Sequence, residues 1–153
     1  PRTLAPVGIS LEYIARNMVD HGIDSPSARE MKGKDSRGTI RIELGHGPEG
    51  YVISMSDDGQ GISFATVEAR AKEQGLIQDG QKASKAELLR LLFSSGLSTS
   101  SEVSSVSGRG VGLNAVQRAV ARVGGKIAIE TRPDRGTTFR ITVPQRTPAR
   151  GKR

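Results

Sequence analysis

Between positions 11 and 19 the apolar residues return at the interval of one helix face. Leu11, Ile14, Ala15, Met18 and Val19 are spaced i, i+3, i+4, i+7 and i+8, which predicts an amphipathic helix. Ser10 stands before them as an N-cap, with Ile9 and Ile14 spaced as a hydrophobic staple. The opposite face carries Tyr13, Arg16, Asn17, Asp20 and His21, and Gly22 marks the end. From Thr39 the period changes to two. Ile40, Ile42 and Leu44 alternate with Thr39, Arg41 and Glu43, the pattern of a half-buried strand. Residues 45–50 read as a turn and 51–56 as a second strand, giving an antiparallel hairpin that runs into Asp57-Asp58-Gly59-Gln60-Gly61. Helices are expected over 64–74 and, from the capping box Ser84-Lys85-Ala86-Glu87, through Leu92. Residues 94–107 are rich in Ser, Thr and Gly with little pattern, a long loop of the kind that is functional or disordered in compact domains. A further helix has Leu113, Val116, Val120 and Val123 on one side and is stopped by Gly124-Gly125. Residues 126–131 and 137–143 make a closing hairpin. Strands and helices mix without regular alternation, so the expected class is α+β, with helices on one face of a mixed or antiparallel sheet. One domain is expected over 1–144, then a basic flexible tail over 145–153.

Composition narrows the picture. A chain of 153 residues suits one core, and with aromatics at 3% that core must be Val, Ile, Leu and Ala. There is no Cys, hence no disulfide or Cys-based zinc pattern, which suits a reducing cytoplasm. No apolar run approaches the roughly 20 residues of a membrane span, and the first ten residues lack the order of a signal peptide. A cytoplasmic location without membrane insertion is expected. The net charge of +7 would attract nucleic acid, anionic lipid or phosphorylated ligands. Part of it, Arg146, Arg150, Lys152 and Arg153, reads as a solvated tail. Phe64, Phe93, Phe139, Tyr13 and Tyr51 are scattered and build no stacking platform, so nucleic acid is not an expected partner.

Three segments carry candidate chemistry. The amide oxygen of Asn17 could ligate Mg²⁺, a hard cation that takes oxygen ligands, and Arg16 and His21 could meet phosphate oxygens. An ordinary solvated helix face would carry the same residues. In Asp57-Asp58-Gly59-Gln60-Gly61, the glycines allow a ligand to approach the backbone, and a carboxylate at the strand end can accept a hydrogen bond from an exocyclic amine such as that of adenine. A tight acidic turn is the alternative. Gly108-Arg109-Gly110-Val111-Gly112 exposes backbone N–H groups at a helix N-terminus, a plausible phosphate cradle. It lacks the Lys-Ser or Lys-Thr of the Walker loop, and no strand leads straight into it as in a dinucleotide fold.

Together, an asparagine helix, an aspartate-glycine turn and a glycine loop opening a helix keep the order of the GHKL ATPases, the superfamily of gyrase, MutL and the histidine kinases. The sequence most resembles the CheA-type chemotaxis histidine kinases. Arg16-Asn17-Met18-Val19-Asp20-His21-Gly22-Ile23-Asp24 is similar to their asparagine box, and Ser25-Pro26-Ser27-Ala28-Arg29-Glu30 with Gly33-Lys34 is similar to the stretch just after that box. Phe93-Ser94-Ser95-Gly96-Leu97-Ser98-Thr99 resembles their phenylalanine box, Ser107-Gly108-Arg109-Gly110-Val111-Gly112-Leu113 their second glycine box, and Gly136-Thr137-Thr138-Phe139 their closing hairpin. The resemblance covers about residues 11–144. It implies a two-layer α/β sandwich of the GHKL (Bergerat) type, a mixed sheet with helices on one face, binding ATP and Mg²⁺. By the same resemblance Asn17 contacts the metal and phosphates, with Tyr13 at the neighbouring catalytic position. Arg16, Asp20 and His21 line the site, and Asp57 receives the adenine amino group past Gly59 and Gly61. Gly108, Arg109, Gly110, Val111, Gly112 and Leu113 wrap the phosphates, residues 94–107 form a lid, and Arg70 is a basic phosphate contact. The implied reaction moves the ATP γ-phosphoryl to a histidine on a separate phosphotransfer domain in chemotaxis-type signalling. A response regulator lies downstream, and a coupling protein and chemoreceptor are reached through domains outside this chain. Neither His21 nor His46 resembles the acceptor histidine.

Three departures bear on this. CheA kinases carry His four residues before the box asparagine, where this chain has Tyr13; a phenol titrating near pH 10 is a poor base at neutral pH. Glu12 lies about 100° away around the helix and does not replace it. Asn114 stands where the family usually has Asp. The family domain also begins with a further helix and strand, so the resemblance implies a sheet one strand short and a thinner core. These departures leave open a regulatory nucleotide-binding module with weak or no kinase activity. An anti-sigma-factor serine kinase shares the fold, but the glycine loop and long lid fit the CheA type better.

Overall fold

The computed structural model describes residues 5–78, 80–94 and 112–145. Helix α1 spans Ala5–Asn17 and starts upstream of the expected cap, with Pro6 in its first turn, where the missing N–H costs nothing. Ser10 is therefore a buried helix-interior residue and Ile9 is exposed, so no staple forms. The buried stripe is Val7, Ile14 and Met18, with Leu11 packed against it. At Met18–Gly22 the chain widens into a π-turn, closed by the Ile23 N–H on the Met18 carbonyl at 2.9 Å. The wider turn ends the 100° repeat, which is why Val19, expected on the buried stripe, is exposed. Helix α2, Pro26–Met31, is an element the pattern does not predict; Ser25 caps it by accepting the Ala28 N–H.

Strand β1 is Ile40–Gly47 and β2 is Gly50–Asp57. Next come helices α3 (Phe64–Glu73) and α4 (Lys85–Leu91), the latter opened by the expected capping box. Helix α5 is Leu113–Arg122, with Val116 and Val120 buried. Strands β3 (Lys126–Arg132) and β4 (Gly136–Val143) close the fold. The sheet order is β1-β2-β4-β3. Every pairing among the described residues is antiparallel rather than mixed. The crossover from β2 returns β3 in the same direction as β2, but β4 folds back between them, so no parallel neighbours meet.

The register puts Met55 opposite Phe139 and Ile53 opposite Ile141, with Ile129 and Ile127 across β4. This sheet face packs on Ile14, Met18, Val67, Ala71, Leu88, Leu92, Val116 and Val120 in one core. Aliphatic side chains dominate it, as the composition required. On the edge strand the same face runs past the helices: Ile42 and Leu44 pair with Met55 and Ile53, yet are 58% and 78% exposed. The expected half-burial of β1 thus holds at Ile40 only.

Candidate functional site

Where β2 ends, three loops converge: the π-turn, the Asp57–Gly61 turn, and the β3–β4 turn. Gln60 ties them together. Its N–H donates to the Gly22 carbonyl at 2.9 Å, its side-chain amide donates to the His21 carbonyl at 2.7 Å, and its own carbonyl accepts from the Asp134 N–H at 2.9 Å. Lys32 spans the same junction, 3.0 Å from Asp24 and 2.7 Å from Asp134. Asp134 adopts φ 55°, a left-handed conformation that Asp tolerates.

Behind these loops lies a cavity of about 480 Å³, within the usual range for small-molecule sites. Its apolar wall is Met18, Ile62, Val67, Leu92, Leu113 and Phe139. Its polar lining includes Tyr13, Asn17, Asp20, His21, Asp57 and Thr137. The π-turn delivers Asp20 and His21, both exposed, to the same rim as Asn17. The Asn17 side-chain NH₂ donates to the Tyr13 carbonyl at 3.0 Å, which leaves its amide oxygen as an acceptor.

Asp57 is 8% exposed. Its Oδ1 accepts the Gly59 N–H at 2.9 Å and the Thr137 N–H at 3.3 Å. Both bonds fall on one oxygen, leaving Oδ2 for a ligand donor. Burial pushes this carboxyl above its ordinary range, and the charge of Asp58 adds to the rise; the two backbone N–H groups and Lys34 pull the other way without cancelling it. Two glycines make the arrangement possible. A Cβ on Gly59 would drive into the Gly22 carbonyl oxygen, and one on Gly136 (φ 93°) into the Asp57 carbonyl oxygen.

Of the other sequence candidates, Gly61 and Gly112 line the cavity; at φ 74°, Gly61 packs its backbone against the Arg132 carbonyl. Gly59 is buried at the turn. Arg16 points to solvent and pairs with Glu12 at 3.1 Å, and neither Arg16 nor Arg70 lines the cavity. Gly108, Arg109, Gly110 and Val111, the lid residues 95–107 and the tail 146–153 lie outside the described residues. Sequence reasoning passes over Gln60, Gly22 and Thr137. Thr137 has a signal, since it comes directly after a glycine at the start of a strand; the role of Gln60 is made by contacts distant in sequence.

Among the described residues no cluster of three or more His, Cys, Asp or Glu forms a metal site, and no helix is long and apolar enough to cross a membrane. The residues present do fit Mg²⁺, which binds through one or two protein oxygens with water and substrate phosphates. Asn17 and Asp20 offer such oxygens at the cavity rim.

A buried carboxylate under a glycine turn, facing an asparagine helix across an apolar cavity, defines a class. The chain belongs to the family described as histidine kinase-, DNA gyrase B-, and HSP90-like ATPase, whose model matches residues 7–147. Within that family it is similar to the chemotaxis protein CheA. It is 39% identical to that of Listeria monocytogenes over 140 residues, 90% of this chain and 23% of the relative. It is 38% identical to that of Halobacterium salinarum over 143 residues, 92% and 21% of the two chains. It is also 38% identical to the gliding motility regulatory protein of Myxococcus xanthus over 144 residues, 93% and 18%. The chain thus spans about a fifth of the length of these curated relatives. Among solved structures it is similar to the histidine kinase domain of the Erythrobacter litoralis EL346 blue-light activated histidine kinase. The TM-score is 0.47 at 11% identity, covering 91% of this chain and 43% of that one.

Proposed function

We propose that this chain is the ATP-binding catalytic domain of a CheA-like histidine kinase, serving transfer of the γ-phosphoryl of Mg-ATP to a histidine on a separate phosphotransfer domain. The observation that carries the reading is Asp57. A buried carboxylate with one oxygen held and the other open is an acceptor suited to a neutral exocyclic amine, as on adenine. The apolar wall from Met18 to Phe139 would sandwich the base and exclude water. Asn17 and Asp20 would hold Mg²⁺, which neutralises charge on the phosphates when bound. His21 would face the phosphates from the π-turn. Phosphoryl transfer asks the protein for positioning rather than covalent chemistry, and the loops knotted by Gln60 supply a fixed frame. A response regulator would receive the phosphoryl group next. A coupling protein and chemoreceptor would act through other domains, in a cytoplasmic setting.

Calorimetry with Mg-ADP tests the nucleotide site. Saturable binding to the wild-type chain, abolished in Asp57→Asn, supports it: the variant keeps Oδ1 for Gly59 and Thr137 but turns the open oxygen into a donor facing a donor. No binding by folded wild-type chain sinks the reading. Transfer of labelled γ-phosphate to an isolated phosphotransfer domain tests the reaction.

A second reading, a nucleotide-binding regulatory module, is favoured by Tyr13. It lines the cavity one helical turn before Asn17, and it puts a phenol where the CheA-type kinases carry an imidazole. Tyr13→His separates the two. On the regulatory reading it raises transfer by about 10²-fold or more, the usual contribution of a positioned acid–base group, while Mg-ADP affinity stays put. A wild-type chain that already transfers fast, unimproved by His, favours the kinase reading.

A further inference from the structure

Arg29 and Lys34 belong to a stretch whose role the site above leaves unassigned. Arg29, on α2, is 1% exposed. Its Nη1 and Nη2 donate to the two carboxylate oxygens of Asp58 at 3.0 and 2.9 Å, Nη1 also reaches the Asp58 carbonyl at 3.3 Å, and Nε donates to the Asp35 carbonyl at 2.7 Å. Lys34 gives its ammonium to two main-chain carbonyls, Asp58 at 2.9 Å and Gly59 at 2.8 Å. The Thr39 N–H completes the shell of Asp58 at 2.9 Å.

These bonds fall on two consecutive peptide groups. A peptide unit is planar, so holding its C=O fixes the direction of its N–H. The Asp58–Gly59 unit has its carbonyl on Arg29 and Lys34, and its N–H on Asp57 Oδ1. The Gly59–Gln60 unit has its carbonyl on Lys34, and its N–H on the Gly22 carbonyl. Each plane is gripped by a cation behind and by the cavity wall in front. Glycine at 59 has little intrinsic preference for this conformation, so the grip must come from outside. Burying a guanidinium is a poor way to gain stability, because well-packed apolar residues often do as well. It is a good way to fix one geometry.

We infer that Arg29 and Lys34 are positioning residues for the cavity: through the two peptide planes they aim the Asp57 carboxylate at the amino group of the base and so set selectivity for a 6-aminopurine. The inference rests on the nucleotide reading above, and the test separates the two. Affinities would be measured by calorimetry on the 153-residue chain for Mg-ADP and for the Mg-diphosphate of purine riboside, which carries hydrogen in place of the 6-amino group. Wild type is expected to prefer ADP by about tenfold or more, the worth of a hydrogen bond to a charged group. Lys34→Met is expected to narrow that preference by about fivefold or more, with the loss falling on ADP and the analogue little changed. Arg29→Met is expected to do the same if it folds. Lys34→Met leaves the Arg29–Asp58 pair in place and carries the test if it does not. A loss shared equally by both nucleotides, or an unchanged ratio, overturns the positioning role while leaving the nucleotide site intact. Failure of wild type to bind either nucleotide overturns both; binding without preference for the amino compound overturns the positioning role and leaves a nucleotide site.

Discussion

Asp57 and Asp58 are neighbours with opposite electrostatic fates. Burial acts against ionisation of both. At Asp58 the Arg29 guanidinium, the Thr39 N–H and the Lys34 charge outweigh it, and the carboxyl titrates below its ordinary range. At Asp57 burial wins, and the carboxyl titrates above it. Linkage then gives the two groups opposite signs. Asp58 contributes stability above the ordinary aspartate range, lost as pH falls through its lowered value. Asp57 does the reverse: between its ordinary and its raised value the folded chain holds the extra proton, so stability falls as pH rises through that window. Asp57→Asn removes the second effect while keeping both Oδ1 bonds. Its thermal midpoint at neutral pH is therefore expected to match or exceed that of wild type, with the gap closing at acid pH where an ordinary aspartate is protonated. A variant less stable at neutral pH by a margin that acid leaves unchanged would contradict this. The residue proposed to recognise ligand would then be one whose ionisation works against the stability of the fold. Gly136 is the complementary case. At φ 93° and against the Asp57 carbonyl it has no room for a methyl group. Gly136→Ala is expected to cost about 2 kcal/mol or more, read as a lower urea midpoint.

At the scale of elements, the sequence makes legible what short-range chemistry decides. The α4 cap needs only four consecutive residues. Ser84 accepts the Glu87 N–H at 3.2 Å, and Glu87 accepts the Ser84 N–H at 2.7 Å. Ser84→Ala is expected to lower stability by about 1 kcal/mol, measurable by chemical denaturation. The hairpin pairings are legible for the same reason, since period-two patterns flank the turns, although the first turn is residues 48–49 and not 45–50, because the pairing runs on to Gly47 and Gly50. The start of α1 is not. Ser10 looks like a cap, but Val7 finds core to bury against and extends the helix backward. The π-turn is also hidden. Its one extra residue leaves Asn17, Asp20 and His21 on one rim, while the 100° rule carries Val19 into a core it never enters. Helix α2 has six residues, too few to show a period, and its reason for being lies in Arg29's contacts to a turn 29 positions away.

Over the whole molecule, one aliphatic core joins the helix layer to the sheet. Ile14 and Val120, both fully buried, belong to the α1 and α5 sides of it. Ile14→Ala is expected to cost about 3 kcal/mol, seen in the denaturation midpoint and shared by every spectroscopic probe if the domain unfolds as one unit. The class of fold and the order of the cavity segments can be read in the sequence because both arise from patterning and from motif spacing. The burial of β1 cannot, since it depends on how far the helices reach over the sheet. Nor can the knot at Gln60, whose partners His21, Gly22 and Asp134 are brought to it only by the closed fold.

The chain has no Trp and two Tyr, and the fold sends the two in different directions. Tyr13 is in the cavity wall. Tyr51 lies on the open end of the sheet, 53% exposed, with its ring edge-on to His46 at 5.2 Å. The protein's intrinsic ultraviolet emission is therefore the sum of one lamp inside the cavity and one outside it. Tyr51→Phe extinguishes the outer lamp without touching the cavity. Added Mg-ADP is then expected to change the remaining signal by a larger fraction than in wild type, so that the molecule reports its own occupancy by light, without a label.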